Sequence, residues 1–398
     1  MPLVRKQTSV MKGAVSLLIQ NVKVYTEDRH FVSGEIGISH GRFTNAVPAG
    51  PDEDVIDGRG AYAIPGLIDM HLHGCMGHDF SDGTFTAIEE ITACEAQAGV
   101  TAILPATMTL PDTELLRILE TAAKYRRVYG SDPFRADLIG INMEGPFISR
   151  DKKGAQDPAY IRPCDAELGR RFLEASEGLV KFIGIAPEEN ENAEDFIREM
   201  KKETAISIAH SNADYETALQ AFRAGASHAV HLFNATSAFS HREPGIPGAV
   251  FECGHVTAEL ICDGVHVHPA VIRSTLRILG PERVIFVSDS MRAAGLADGI
   301  YTLGGQDVLV TGNRAVLAAD GALAGSVTNL MDCMVRTVKE MGIPLETAVA
   351  CATVNPAKAA GAYDQYGSIS AGKKANVVLL NEDLHIILVI KDGVIIRG

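Results

Sequence analysis

Short unbroken apolar runs alternate with longer amphipathic stretches along most of this chain. The runs fall at 63–70, 101–105, 137–143, 180–185, 205–209, 228–232, 256–262 and 284–287, eight in all. Between several of them lie segments with helical apolar spacing, as at 85–98, 112–127, 166–176 and 213–224. Strands that are apolar on both faces belong in a parallel sheet covered by helices on both sides. Eight such units predict an α/β fold, a (β/α)8 TIM-type barrel, over residues 64–364. An open doubly wound sheet is the alternative, but no Gly-x-Gly-x-x-Gly turn follows the first strand.

The flanks have a different texture. Residues 1–63 and 365–398 show shorter strands with turn signals, at 17–22, 34–39, 55–58, 375–380 and 386–390. Lys391-Asp392-Gly393 has the composition of a hairpin turn, and 304–322 that of a hairpin inserted after the eighth strand.

Polar residues close the apolar runs. His71 and His73 end the first, Glu144 the third, His210 the fifth, His231 the sixth and Asp289 the eighth. Side chains at i and i+2 of a strand share a face, so His71 and His73 project together. In a barrel the C-terminal ends of all strands meet at one mouth, where active sites sit. Any one of these residues alone would pass for a hydrogen-bonded strand end or a helix cap. Five strand ends carrying imidazole or carboxylate point instead to a metal centre. Several His ligands with a carboxylate suit zinc or ferrous iron better than magnesium or calcium. Asp289 beside such a centre is placed to move protons for a hydrolysis.

The other histidines lack this context. His30, His40, His255 and His385 are expected at the surface. His78, His241 and His268, in loops near the mouth, stay open, with solvation the default. His228 lies at odd spacing from His231 and is expected to face away from the site. Cys75 reads as a small buried residue.

Ten segments carry a resemblance over nearly the whole chain. They are PGLIDMHLHG (65–74), MEGPF (143–147), KKGA (152–155), GIAPE (184–188), AHSNA (209–213), HLFNA (231–235), REPG (242–245), CDGVH (262–266), VSDSM (287–291) and LAGS (323–326). With these the chain resembles the amidohydrolase superfamily and, within it, the N-acetylglucosamine-6-phosphate deacetylases. The resemblance implies one or two divalent metals, with Glu144, His210 and His231 as core ligands and His71 and His73 holding a second ion. It makes Asp289 the acid/base and His266 a contact to the acetyl group that stabilises developing charge. Asn234 and Ala235 would hold the sugar phosphate, while Ala155, Gln156, Asp263, Gly264, Leu323, Ala324 and Gly325 would line the sugar site. Arg242 would reach the phosphate in a neighbouring subunit, giving a homodimer. The resemblance also implies a small β-sandwich built from both chain ends. Gln156 stands where many relatives have His, which leaves glucosamine against galactosamine open.

Composition narrows the partners. A net charge of −14 argues against nucleic acid or an anionic membrane, so any phosphate needs local basic or backbone groups. Seven cysteines without a Cys-x-x-Cys pair suggest a reducing cytoplasm, and Met1–Leu18 lacks the apolar core of a signal peptide. A metal-free barrel kept as an interaction protein is the rival from another class; it would be expected to have lost ligands, and here all are present.

Overall fold

A computed structural model of the chain describes residues 16–45, 54–130 and 132–398. Most of the Met1–Leu18 stretch lies outside the described residues.

Eight parallel strand positions follow one another as expected. They are Leu67–Asp69; Val100–Ile103 with Ala106–Thr107; Asp137–Leu138 with Ile141–Phe147; Val180–Ile185; Ala205–Ile208; His228–Ala229; Thr257–Ile261; and Val284–Val287. Hydrogen bonding runs in chain order along two sheets, the second and third strands each being split between them. The eighth strand returns to the first through Asp289 N–H to the His71 carbonyl (2.9 Å) and His73 N–H to the Ser290 carbonyl (2.7 Å). Alternation along the strands separates two cores. Ile68, Met70, Phe182, Ile261, Ile285 and Val287 fill the barrel interior. Leu67, Ile183, Leu260, Val284 and Phe286 face the surrounding helices.

The helices start and stop where local chemistry dictates. Phe85–Gln97 is capped by the Thr84 hydroxyl, Ala166–Ala175 by Asp165 and Tyr215–Ala224 by Asp214. Asp112–Tyr129 carries Asp112 and Glu114 in its first turn and Arg126 and Arg127 in its last, matching the helix dipole.

Strands from both ends of the chain form one seven-stranded sheet, in the order Val394–Arg397, Ile386–Lys391, Val377–Leu380, Asp54–Pro65, Leu17–Tyr25, Phe31–Ser39, Arg42–Thr44. Pairing is continuous and folds back on itself, Phe43 N–H bonding the Lys373 carbonyl (3.0 Å), so the expected small β domain encloses its own core of Ile19, Ile38, Ile56, Leu379 and Ile390. Its strand Asp54–Pro65 runs two residues into the expected barrel, Ile64 and Pro65 pairing with Val378 and Val377. Gly66 then makes the joint: a Cβ there would lie 2.2 Å from the Thr101 hydroxyl, so a larger residue would have to displace Thr101. The Asp392-Gly393 turn has both φ angles positive (48° and 78°), as a type I′ hairpin turn requires. Lys391, fully buried, ties the sheet to the barrel by binding Asp137 (2.9 Å) and Asp392 (2.6 Å). Far from the mouth, this cluster fixes the end of the barrel that carries no chemistry.

The insertion after the eighth strand has three antiparallel strands, Gly299–Leu303, Gln306–Thr311 and Arg314–Leu317. Leu303, Val308 and Leu317 pack with Met108, Ala155, Met291 and Ala324, seating it on the barrel mouth. No described helix is long and apolar enough to cross a membrane.

Candidate metal centre and active site

Three of the strand-end residues leave their strands through left-handed backbone: His210 (φ 44°), His231 (φ 26°) and Asp289 (φ 48°). Such angles are uncommon outside glycine and gather at functional sites. Here the turn at each strand end brings the side chains to the barrel axis, around Glu144.

Glu144 is buried, and four imidazoles surround it. His210 Nε2 lies 2.9 Å and His231 Nε2 2.7 Å from its Oε1, while His73 Nε2 is 3.3 Å from Oε2. His71 Nε2 sits 3.4 Å from Oε1, and Asp289 Oδ1 lies 3.6 Å from His71 Nε2 and 3.3 Å from His73 Nε2. Two triads, His71/His73/Glu144 and Glu144/His210/His231, have ligand atoms within 4.8 Å of one another and share Glu144.

The donor chemistry of this cluster calls for a cation. His210 Nδ1 lies 2.8 Å from the Lys152 carbonyl, and His231 Nδ1 3.1 Å from the Asn234 carbonyl. A carbonyl only accepts, so each Nδ1 carries the proton, and each neutral ring turns an Nε2 lone pair toward Glu144. The carboxylate is also an acceptor. Lone pairs facing lone pairs at this distance are stable only with a positive charge among them, a metal ion or protons on the rings. His71 Nε2 is a buried atom without a hydrogen-bond partner, as befits a ligand. The residues present therefore fit one or two divalent metals.

The same charges show in ionisation. Burial resists charging of His73, but hydrogen bonds to Asp289 and Glu144 push its pKa up to about 10. Burial also opposes ionisation of Glu144, yet the fields of His71 and His210 hold it well below the ordinary carboxylate range. Asp289 is lowered against burial by its hydrogen bond with His73. His266 is raised, again against burial, because its Nδ1 lies 2.7 Å from the Asp263 carboxylate.

A cleft of about 330 Å³ opens over this centre. His73, Glu144, His210, His231, Asp289 and His266 reach it, as do Ala155, Gln156, Asn234, Ala235, Leu323 and Gly325. Three expected sugar contacts fall elsewhere. Asp263 is fully buried behind His266 and takes its Nδ1–H; Gly264, beyond it, packs on Arg336. Ala324 is buried in the apolar cluster under the insertion. Arg242 lies on an exposed loop beside His241 (2.6 Å) and does not line its own chain's cleft. Gln156 is at the cleft but already engaged: its Nε2 donates to Glu144 Oε2 (2.8 Å), and its Oε1 accepts from Thr109 N–H (2.6 Å). It orients the central carboxylate as well as facing the cleft.

His228 needs a correction. It does not face away; it lies inside the barrel beneath the centre, Nε2 3.0 Å from Glu259. The left-handed turn at His231 breaks the strand alternation on which the expectation rested. His268 caps the helix Pro269–Leu279, accepting from Ala270 N–H, so it is no ligand. His30, His40, His255 and His385 are exposed, and Cys75 is buried, as expected.

Several residues at or beneath the cleft escaped the sequence reading. Lys152 brings a cation to the cleft and Met108 an apolar wall. Glu259, a carboxylate in the middle of an apolar strand, was the available signal; it is fully buried next to His71.

Comparison with known proteins agrees with this geometry. The pattern of the Amidohydrolase family matches residues 62–396. N-acetylglucosamine-6-phosphate deacetylase of Bacillus subtilis (strain 168) is 36% identical over 386 residues, 96% of this chain and 97% of its own. N-acetylgalactosamine-6-phosphate deacetylase of Escherichia coli O157:H7 is 34% identical, covering 81% of this chain and 84% of its own. The solved N-acetyl-D-glucosamine-6-phosphate deacetylase of Mycobacterium smegmatis, a mutant in complex with N-acetyl-D-glucosamine-6-phosphate, superposes with TM-score 0.87 at 31% identity, covering 97% of this chain and all of that one. With its barrel, its buried His and Glu donors and a family match across most of its length, this chain belongs to the amidohydrolase family.

Proposed function

We propose that this chain is a metal-dependent hydrolase that cleaves the acetyl group from N-acetylglucosamine 6-phosphate, yielding glucosamine 6-phosphate and acetate in amino-sugar catabolism. The observation that carries the reading is the ring of imidazole lone pairs around Glu144 with Asp289 at its edge, open to a sugar-sized cleft. A divalent ion held there, zinc or iron by its donor set, would polarise the amide carbonyl and acidify the attacking water. Asp289 takes the proton from that water and later delivers it to the amide nitrogen as the C–N bond breaks. His266, protonated against Asp263, turns its other nitrogen to the cleft, where it stabilises charge on the acetyl oxygen. Ala155, Gln156, Asn234, Ala235, Leu323 and Gly325 frame the sugar, with Ala324 behind them and Asp263 and Gly264 acting through His266. The catalytic unit is the barrel, 66–364, and among the described residues the strands between Leu17 and Pro65 and between Val377 and Arg397 form the supporting sheet domain.

The experiment is an acetate-release assay on metal-loaded protein with both sugar phosphates. Preference for the glucosamine substrate supports the reading; preference for N-acetylgalactosamine 6-phosphate would favour the second reading, which the Escherichia coli relative and Gln156 motivate. No release from either would remove both.

Two ions are proposed, the tighter at Glu144, His210 and His231. Elemental analysis of the His71→Ala/His73→Ala double variant should give about half the wild-type metal, because the distal triad keeps its own ligands. One ion per chain in both proteins would contradict this.

Arg242 is proposed to bind the phosphate of a partner subunit's substrate in a cytoplasmic homodimer. Its exposed loop, clear of its own cleft, and the neighbouring Phe239, 54% exposed, support an interface there. Arg242→Ala should raise KM for the phosphorylated sugar by about 10- to 150-fold, from about 1.5–3 kcal/mol of charge-assisted hydrogen bonding. Unphosphorylated N-acetylglucosamine should be little affected. Mixing this variant with inactive Asp289→Asn subunits should restore activity; a monomer, or no recovery after confirmed subunit exchange, would assign the phosphate to Lys152 of the same chain instead.

A further inference from the structure

Beneath the metal centre lies a carboxylate that none of the steps above uses. Glu259, fully buried on the seventh barrel strand, accepts four hydrogen bonds. Its Oε2 takes His71 Nδ1–H (2.9 Å) and His231 N–H (3.0 Å). Its Oε1 takes His228 Nε2–H (3.0 Å) and Asn142 Nδ2–H (3.3 Å). Among the described residues no Lys or Arg pairs with it; its ionic partners are His71 and His228.

We propose that Glu259 is a positioning residue that builds the His71/His73 side of the centre by holding His71 in one ring orientation and one tautomer. The inference rests on the two-ion reading above. An imidazole whose Nδ1–H is held by a carboxylate must present its Nε2 lone pair, and the bond also makes that nitrogen a better donor. Of the four cluster histidines, His210 and His231 have their Nδ1 fixed by neutral backbone carbonyls, while His71 alone is fixed by a charged group. His73 has no such support, its Nδ1 being buried without a partner. The two ion sites therefore differ in what holds them. The rings of one are held by backbone carbonyls of two turns and His71 of the other by a single side chain, although Glu259 also takes the His231 backbone N–H. His228 and Thr257 (2.7 Å from His228 Nδ1) lock Glu259 from below, and Asn142 reaches it from the third strand. The arrangement predicts that loss of the Glu259 charge empties one site and spares the other.

Zinc titration of the apo-protein by calorimetry tests this on wild type, Glu259→Gln, His71→Ala and their combination. Wild type should bind two ions. Glu259→Gln, nearly isosteric, should keep the first affinity and weaken the second by about 10- to 100-fold. His71→Ala should lose the second ion as well, and adding Glu259→Gln to it should change little further. If Glu259→Gln does not fold, Glu259→Asp, charged but too short to span His71 and His228, carries the same test with the same pattern. Unchanged affinity for both ions would overturn the proposal. So would equal weakening of both with a lowered Tm, the mark of a packing role alone. A wild type that binds a single ion would overturn the two-ion reading itself, and the proposal with it, before any variant is compared.

Discussion

Glu144→Ala protein should fold, bind almost no divalent metal and release acetate from N-acetylglucosamine 6-phosphate at least about 10³-fold more slowly than wild type. The carboxylate stands in both donor triads, with Oε1 toward His210 and His231 and Oε2 toward His73. Its removal leaves four imidazoles without the negative charge that gathers a cation among them. The rate estimate corresponds to about 4 kcal/mol of lost Lewis-acid stabilisation. Stability should move far less. In the metal-free cluster Glu144 offsets the charge of rings it helps to protonate, and its loss lets those rings become neutral. Elemental analysis and an activity assay on the same preparation check the prediction. Retention of a full metal complement would show that the histidines alone hold the ions, and the central role of Glu144 would fall.

Asp289→Asn should behave in the opposite way, keeping its metal while losing turnover. Asparagine preserves the shape and the backbone bond from Asp289 N–H to the His71 carbonyl, but its amide cannot take a proton from water. A fall in kcat of about 10² or more is expected, within the range for a general acid–base group. KM should change little, because Asp289 meets the reacting water and nitrogen more than the sugar. A variant with near-normal kcat would transfer the proton-moving role elsewhere, Asp151, Lys152 and His266 being the other titratable side chains at the cleft outside the metal triads. The pair of variants thus separates holding the metal from moving the proton, the two tasks proposed for these neighbouring carboxylates.

Much of this was legible along the chain because barrel chemistry is written at strand ends. The unbroken apolar runs fixed where strands lie, and a polar residue closing a run had nowhere to point but the mouth. Hence His71, His73, Glu144, His210, His231 and Asp289 emerged from pattern, and all meet within one cluster. The sugar contacts came from motif resemblance. Ala155, Asn234, Ala235, Leu323 and Gly325 do reach the cleft, whereas Asp263, Gly264 and Ala324 support it from behind.

What the sequence by itself determined is the order of strands and helices and the identity of the residues gathered at the mouth. Both follow from local rules: side-chain alternation along a strand, helical spacing of apolar positions, and turn composition. Orientation and partnership came only from the tertiary structure. His228 sits beneath the centre because a left-handed turn at His231 resets the alternation, and no period of two or of 3.6 encodes such a turn. Gln156 faces Glu144, and Glu259 faces His71, across separations of 12 and 188 residues. The Glu259–His71 contact exists because barrel closure brings distant strands together, and it is closure, with its burial of charge, that turns six polar residues at five strand ends into a site for a cation.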